Sequence, residues 1–125
     1  MRILSTSRRA ASIALTPREQ RCFINALGEA RDTHQFPALD FPARIGIARE
    51  AAGRLLQAIQ EARARDRMLQ TTLTWQELGA LRGAMQVVSD EIEDWEFGTR
   101  LGVSRDEWSE VMRSLDEARS HAAEP

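Results

Sequence analysis

The chain has 125 residues, a formal charge of −2 and 42 % hydrophobic side chains. That length and apolar content suit one compact domain, and no apolar run approaches the about 20 residues needed to span a membrane. The single cysteine, Cys22, excludes a disulfide framework and a cysteine-based zinc site. All 17 basic residues are arginine, a mark of GC-rich bacterial coding, and a reducing cytoplasm is the expected compartment.

In chain order, residues 1–14 read as a flexible N-terminal arm. Their twin arginine, Arg8-Arg9, is followed by too short an apolar stretch for an export signal. The first helix starts at Thr16, where Thr16-Pro17-Arg18-Glu19 forms a capping box with proline at the first helical position. Phe23, Leu27 and Ala30 then recur at helical spacing. The stretch from Thr33 to Pro42 holds two prolines and reads as a loop, with His34 in it. A second helix follows Gly46, with Ala48 in the cap position and a stripe of Ala52, Leu55, Ile59 and Ala62. A third begins at the capping box Thr74-Trp75-Gln76-Glu77. Its stripe is Leu78, Leu81, Met85, Val88, Ile92 and Trp95, about five turns of apolar face. Ser104-Arg105-Asp106-Glu107 opens a fourth, striped by Trp108, Val111, Leu115 and Ala118, with His121 in the tail.

Segments of this chain are copies of one another. Phe41 to Arg63 aligns without a gap on Phe97 to Arg119, an offset of 56, with seven identities. Unrelated sequences would share about one or two. Arg44 and Gly46 fall on Arg100 and Gly102, which reads as a shared turn: glycine for a left-handed backbone, arginine to tie down helix carbonyls or an acid in its own hairpin. Leu15 to Glu19 aligns on Leu73 to Glu77, offset 58. Two helical hairpins, repeat 1 (15–69) and repeat 2 (73–121), predict an all-α, four-helix bundle with pseudo-two-fold symmetry.

The copies have diverged in charge. Residues 1–69 hold 12 arginines and 7 acids; residues 70–125 hold 5 arginines and 12 acids. No nucleophile, base and orienter can be assembled into a catalytic set, so no enzyme activity and no cofactor is expected. Glu91 and Asp94 are one turn apart, as magnesium-binding acids are, but no second acidic pair supports them and no metal site is assigned. Cys22 reads as a small, partly buried residue whose reactivity would need a nearby cation, and Arg18 is one turn away. Gly79 and Gly83 in the third helix each cost about 1 kcal/mol against alanine, which the close approach of the first helix or of a partner element would offset.

Residues 97–111, and 41–55 with them, resemble the helix-turn-helix of bacterial regulators. Gly98 takes the small position, Gly102 the turn, Leu101 and Val103 flank it, and Trp108 falls six beyond. The resemblance implies DNA binding, with Arg49 and Arg54 of the first copy on the recognition face. Asp106, Glu107 and Glu110 would meet phosphates with like charge, and Pro42 breaks the pattern in the first copy. The favoured expectation is therefore a protein-binding module, of the inhibitor or immunity type. It engages a basic protein partner through Asp90, Glu93, Asp94, Glu96, Asp106 and Glu110, with Trp75 as an exposed anchor.

Overall fold

The computed structural model describes residues 1–32 and 41–121. It holds four strands, β1 (Arg2–Thr6), β2 (Ala10–Leu15), β3 (Arg63–Arg65) and β4 (Met68–Thr74). Six helices accompany them: α1 (Pro17–Asp32), α2 (Phe41–Ile45), α3 (Arg49–Gln60), α4 (Trp75–Glu91), α5 (Asp94–Leu101) and α6 (Arg105–Ser120). The strands form one antiparallel sheet in the order β1-β2-β4-β3. The fold is α+β, which overturns the all-α four-helix bundle. The segment expected as a loose arm supplies β1 and most of β2, and the expected link between repeats supplies β3 and β4.

The strands were hard to read for a physical reason. A half-buried strand announces itself by alternating apolar and polar residues. In β2 the inward set is Ala11, Ile13 and Leu15, but the outward set is Ser12 and Ala14, and Ala14 is apolar. In β4 only Leu73 is buried, with Leu69 packed partly against the core. Cross-strand pairing makes these short runs into a sheet, and pairing is invisible to local periodicity. The β3–β4 connection is a two-residue turn in which Asp66 and Arg67 both have positive φ, 51° and 68°. That is the type I′ geometry whose twist matches a hairpin.

The sheet reveals the true repeat. Each copy is a strand hairpin, a long helix, a short helix and a final helix: β1-β2-α1-α2-α3, then β3-β4-α4-α5-α6. The offset of 58 seen at Leu15 and Leu73 continues back through the hairpins. Ser5 and Thr6 correspond to Arg63 and Ala64, and the Ser7–Ala10 turn to Arg65–Met68. Ile13 corresponds to Thr71, and these two are register partners across β2 and β4. The pseudo-two-fold axis therefore runs through the Ile13–Thr71 pair.

One face of the sheet is covered. Helices α1 and α4 lie against it and against each other, α3 packs on α1, and α6 packs on α4. The core between them is closed by Phe23, Leu27, Leu55, Leu78, Leu81, Phe97 and Trp108. Trp108 meets Phe97 edge to face at 5.5 Å and donates its Nε1–H to the Met85 carbonyl at 3.1 Å. All three capping boxes form. Thr16 and Glu19 exchange hydrogen bonds of 2.8 and 3.1 Å, and Thr74–Glu77 and Ser104–Glu107 do the same. Ala48 has no side-chain cap, as its methyl group requires. Pro42, expected to break a helix, sits in the first turn of α2, where its missing N–H has no partner to lose.

Candidate functional site

The expected stripe of the third helix stops early. Helix α4 ends at Glu91, and Ile92 turns the chain out of the helix with φ −94° and ψ 127°. Glu93 then takes the position before a new helix, α5, without a side-chain cap, and the buried residues of α5 are Phe97 and Leu101. In a helix, residues four apart share a face, and the residue two before Phe97 points the other way. Trp95 is thus 81 % exposed instead of lying in the core. Trp75, expected as the exposed anchor, is half-buried: its Nε1–H donates to the Ser7 carbonyl at 3.0 Å and its backbone N–H to the Arg9 carbonyl. The two tryptophans exchange places.

Trp95 stands among acids. Asp90, Glu91, Glu93, Asp94 and Glu96 occupy the α4–α5 corner, and Glu93, Asp94 and Glu96 also suit the positive end of the α5 dipole. Three of the five meet arginine. Glu91 lies 3.5 Å from Arg44, and Glu96 lies 3.4 Å from Arg100. Asp94 lies 2.5 Å from Arg105 Nε, out of line with the N–H, so the contact is an ion pair and not a hydrogen bond. The Asp94 side chain still keeps 90 % of its exposure. Asp90 accepts only from Gln86 Nε2, at 2.9 Å, and Glu93 has no ion pair among the described residues.

Asp106 is exposed and adjoins the corner through its neighbour Arg105. Glu110 does not join it: it reaches back to Arg18 of α1 at 3.3 Å, beside Glu107 at 3.6 Å from the same guanidinium. Hydrogen bonds from the Ser104 N–H and hydroxyl, with Arg18 nearby, hold the Glu107 carboxyl below its ordinary range. Trp75 is about 24 Å away along α4, at 1.5 Å per residue over the helix.

The repeated turn residues do structural work across the axis. Gly46 and Gly102 have φ of 101° and 73°, as the turn demands. Arg44 and Arg100 both reach across to the other copy: Arg44 on α2 pairs with Glu91 on α4, and Arg100 on α5, besides meeting Glu96 of its own helix, grips Glu29 on α1 through two hydrogen bonds of 2.9 and 2.5 Å. That carboxylate raises the Arg100 pKa above its ordinary value. A second repeated arginine ties down the long helix of its own copy. Arg49 donates to the Arg31 carbonyl and lies over the Phe41 ring at 4.7 Å. Arg105 donates to the Ser89 and Ile92 carbonyls and lies over Phe97 at 4.4 Å.

Helix α5, left-handed Gly102 and helix α6 do form a helix, turn and helix. The exposed face of α6, however, presents Asp106, Glu110, Asp116 and Glu117. Among the described residues, no group of three His, Cys, Asp or Glu side chains is placed to hold a metal, and no helix is long and apolar enough to cross a membrane. His121 is exposed at the end of α6, and His34 lies outside the described residues. The residue that sequence reasoning missed is Trp95. The signal was present in the alignment, since Phe97 matches Phe41, an inward residue at the start of a short helix. Comparison with family models, with curated proteins and with solved structures finds no match to this chain.

Proposed function

We propose that this protein is a non-catalytic binding module of the inhibitor or immunity type, whose acidic α4–α5 corner engages a basic protein partner. The observation that carries this reading is Trp95, 81 % exposed among Asp90, Glu93 and Asp94. A tryptophan at the surface exposes a large apolar area that gains most when a partner covers it, and tryptophan is enriched among the residues that dominate interface energies. Its ring face attracts arginine and lysine, and the acids around it steer such a partner toward it. Asp106 extends the same surface, and Glu96, held by Arg100, shapes its rim; Glu110, drawn to Arg18, lies apart from it. The buried free thiol of Cys22 fits action in the reducing cytoplasm. A helix-turn-helix role in DNA binding draws less support, because Arg49 is engaged with the Arg31 carbonyl and the exposed face of α6 is acidic.

The test compares wild-type protein and Trp95→Ala as baits in the native lysate, with folding checked by circular dichroism. A basic protein should be retained by the wild type after nuclease treatment, and its affinity should fall about 30-fold or more in the variant, a hot-spot loss of about 2 kcal/mol. Asp90→Asn with Glu93→Gln should weaken capture mainly at low salt. Equal retention by Trp95→Ala would remove the corner from consideration.

A further inference from the structure

The uncovered face of the sheet is the other charged surface. Cross-strand partners point to the same side, so the register defines what this face presents. One row runs across all four strands: Arg2, Ala14, Gln70 and Arg63, with Ala14 itself fully buried between its neighbours. The next row is Ser5, Ser12 and Thr72, and the Ser12 and Thr72 hydroxyls are 3.0 Å apart. Arg65 lies one row to the other side, paired with Met68. Two shallow depressions mark the face: one of about 410 Å³ lined by Arg63, Ala64, Arg65 and Gln70, and one of about 120 Å³ lined by Ser5, Ser7, Ser12 and Thr72 among others.

The hairpin tips add Arg8 and Arg9 at one end of the sheet and Arg67 at the other. All six arginines of the sheet are exposed, and among the described residues none of them has an ion pair. Asp66 is the one acid among them, so the sheet segments carry +5 and the remainder of the chain −7. In the helical layers, by contrast, six of the eleven arginines, Arg18, Arg44, Arg82, Arg100, Arg105 and Arg119, are ion-paired. The tip arginines are also held in place. Trp75 donates two hydrogen bonds to the carbonyls of the Ser7–Ala10 turn, and Arg67 occupies a left-handed position at φ 68° that glycine would fill more cheaply.

We propose that this face binds the backbone of duplex RNA without reading its sequence. Arginine, hydroxyl and amide side chains are the groups that contact phosphate and sugar. The strands carry no aromatic residue, so there is no platform on which unpaired bases could stack, and a single strand is disfavoured. Four strands at about 4.8 Å spacing give a flat face about 14 Å wide, before side chains are added. Such a face cannot reach the floor of the B-form major groove, which is about 8.5 Å deep. A wide, shallow minor groove lined by 2′-hydroxyls, as in A-form RNA, accepts a flat polar face.

The test titrates the full chain against a labelled RNA duplex of mixed sequence, read by fluorescence anisotropy at several salt concentrations. The RNA duplex should bind more tightly than a DNA duplex or a single strand of the same sequence. Arg63→Gln and Arg65→Gln should each weaken binding uniformly across sequences and reduce the salt slope by about 1. Arg21→Gln and Arg54→Gln, exposed helical arginines, should leave it unchanged. Arg67→Gly separates function from folding: the turn should become more stable while RNA binding weakens. Four results would overturn the proposal. These are no binding at low salt, DNA or single strands bound as tightly, equal loss from the helical variants, or preference for an acidic peptide or an anionic vesicle. The first would leave the arginines as guards against edge-to-edge strand pairing.

Discussion

Cys22 sits fully buried on α1 beside Phe23, and its surroundings decide its chemistry. Burial disfavours the thiolate more than Arg18 favours it, so the pKa is pushed up to about 11. The native thiol thus holds its proton through the physiological range. Because the folded pKa lies above the unfolded one, the stability associated with this thiol is present below about pH 9 and is lost as pH climbs toward 11. Native protein at pH 8 should react with a thiol reagent only as fast as it opens, and denaturant should release full reactivity. Rapid labelling of native protein, read by absorbance of the released thiolate, would contradict the buried environment. The same residue-scale logic applies to the arginines. Arg49 and Arg105 are identical between copies because each satisfies carbonyls at the end of a long helix and covers a phenylalanine ring. Their repetition records a joint that both copies must close, not a shared ligand.

At the scale of elements, the short helices are exchanged between the copies. Helix α2 packs on α4, and α5 is tied to α1 through Arg100 and through Asn25, whose Nδ2 donates to the Leu101 carbonyl at 2.9 Å. On the other side of the axis, Gly83 takes the place of Asn25. A Cβ there would lie 3.0 Å from the Ile45 carbonyl oxygen and 3.1 Å from that of Arg44, both rigid backbone. The close neighbour expected at this glycine is α2, not the first helix. Gly83→Ala should therefore destabilise the fold by about 1–3 kcal/mol, the cost of overpacking, despite the better helix propensity of alanine. Gly79→Ala should act in the opposite direction. Its Cβ would meet only the Arg119 guanidinium, at an ordinary 3.6 Å, and the gain is about 1 kcal/mol or less. Urea denaturation of the two variants checks both signs at once.

For the molecule as a whole, the symmetry axis through Ile13 and Thr71 makes each copy incomplete. The central β2–β4 pair, the α1–α4 contact and the exchanged short helices all cross between copies. A fragment of residues 1–61 or 62–125 alone leaves one face of its hairpin and its long helix exposed, and about 60 residues bury too little surface to compensate. Neither fragment should show a cooperative thermal transition by circular dichroism, and an equimolar mixture should recover one. Cooperative melting of either fragment as a monomer would show that the copies are independent. The charge divergence between the copies lies in their helical parts: both hairpins are positive, residues 16–62 hold 6 arginines and 6 acids, and residues 75–125 hold 5 arginines and 12 acids. The acidic corner lies at the C-terminal end of α4, and the Ser7–Ala10 turn with Arg8 and Arg9 is bonded to Trp75 at its N-terminal end.

The duplication, the three capping boxes, the positive φ of both turn glycines and the inward faces of α1, α3 and α6 were legible in the sequence. Each depends on residues within a turn or two of one another, or on direct identity between copies. The strand hairpin of each repeat was not legible, because β1 to β4 become strands only when β2 meets β4 across about 60 residues and neither alternates cleanly on its own. The same limit governs the site. Acidic residues at the α4–α5 corner could be named from composition, but the exposure of Trp95 follows from the break at Ile92. That break is set by how Phe97 and Leu101 reach the core, so the exchange of roles between Trp75 and Trp95 was a tertiary decision. Local sequence determined which segments could be helices and where they start; long-range packing determined which side chains remained for a partner to meet.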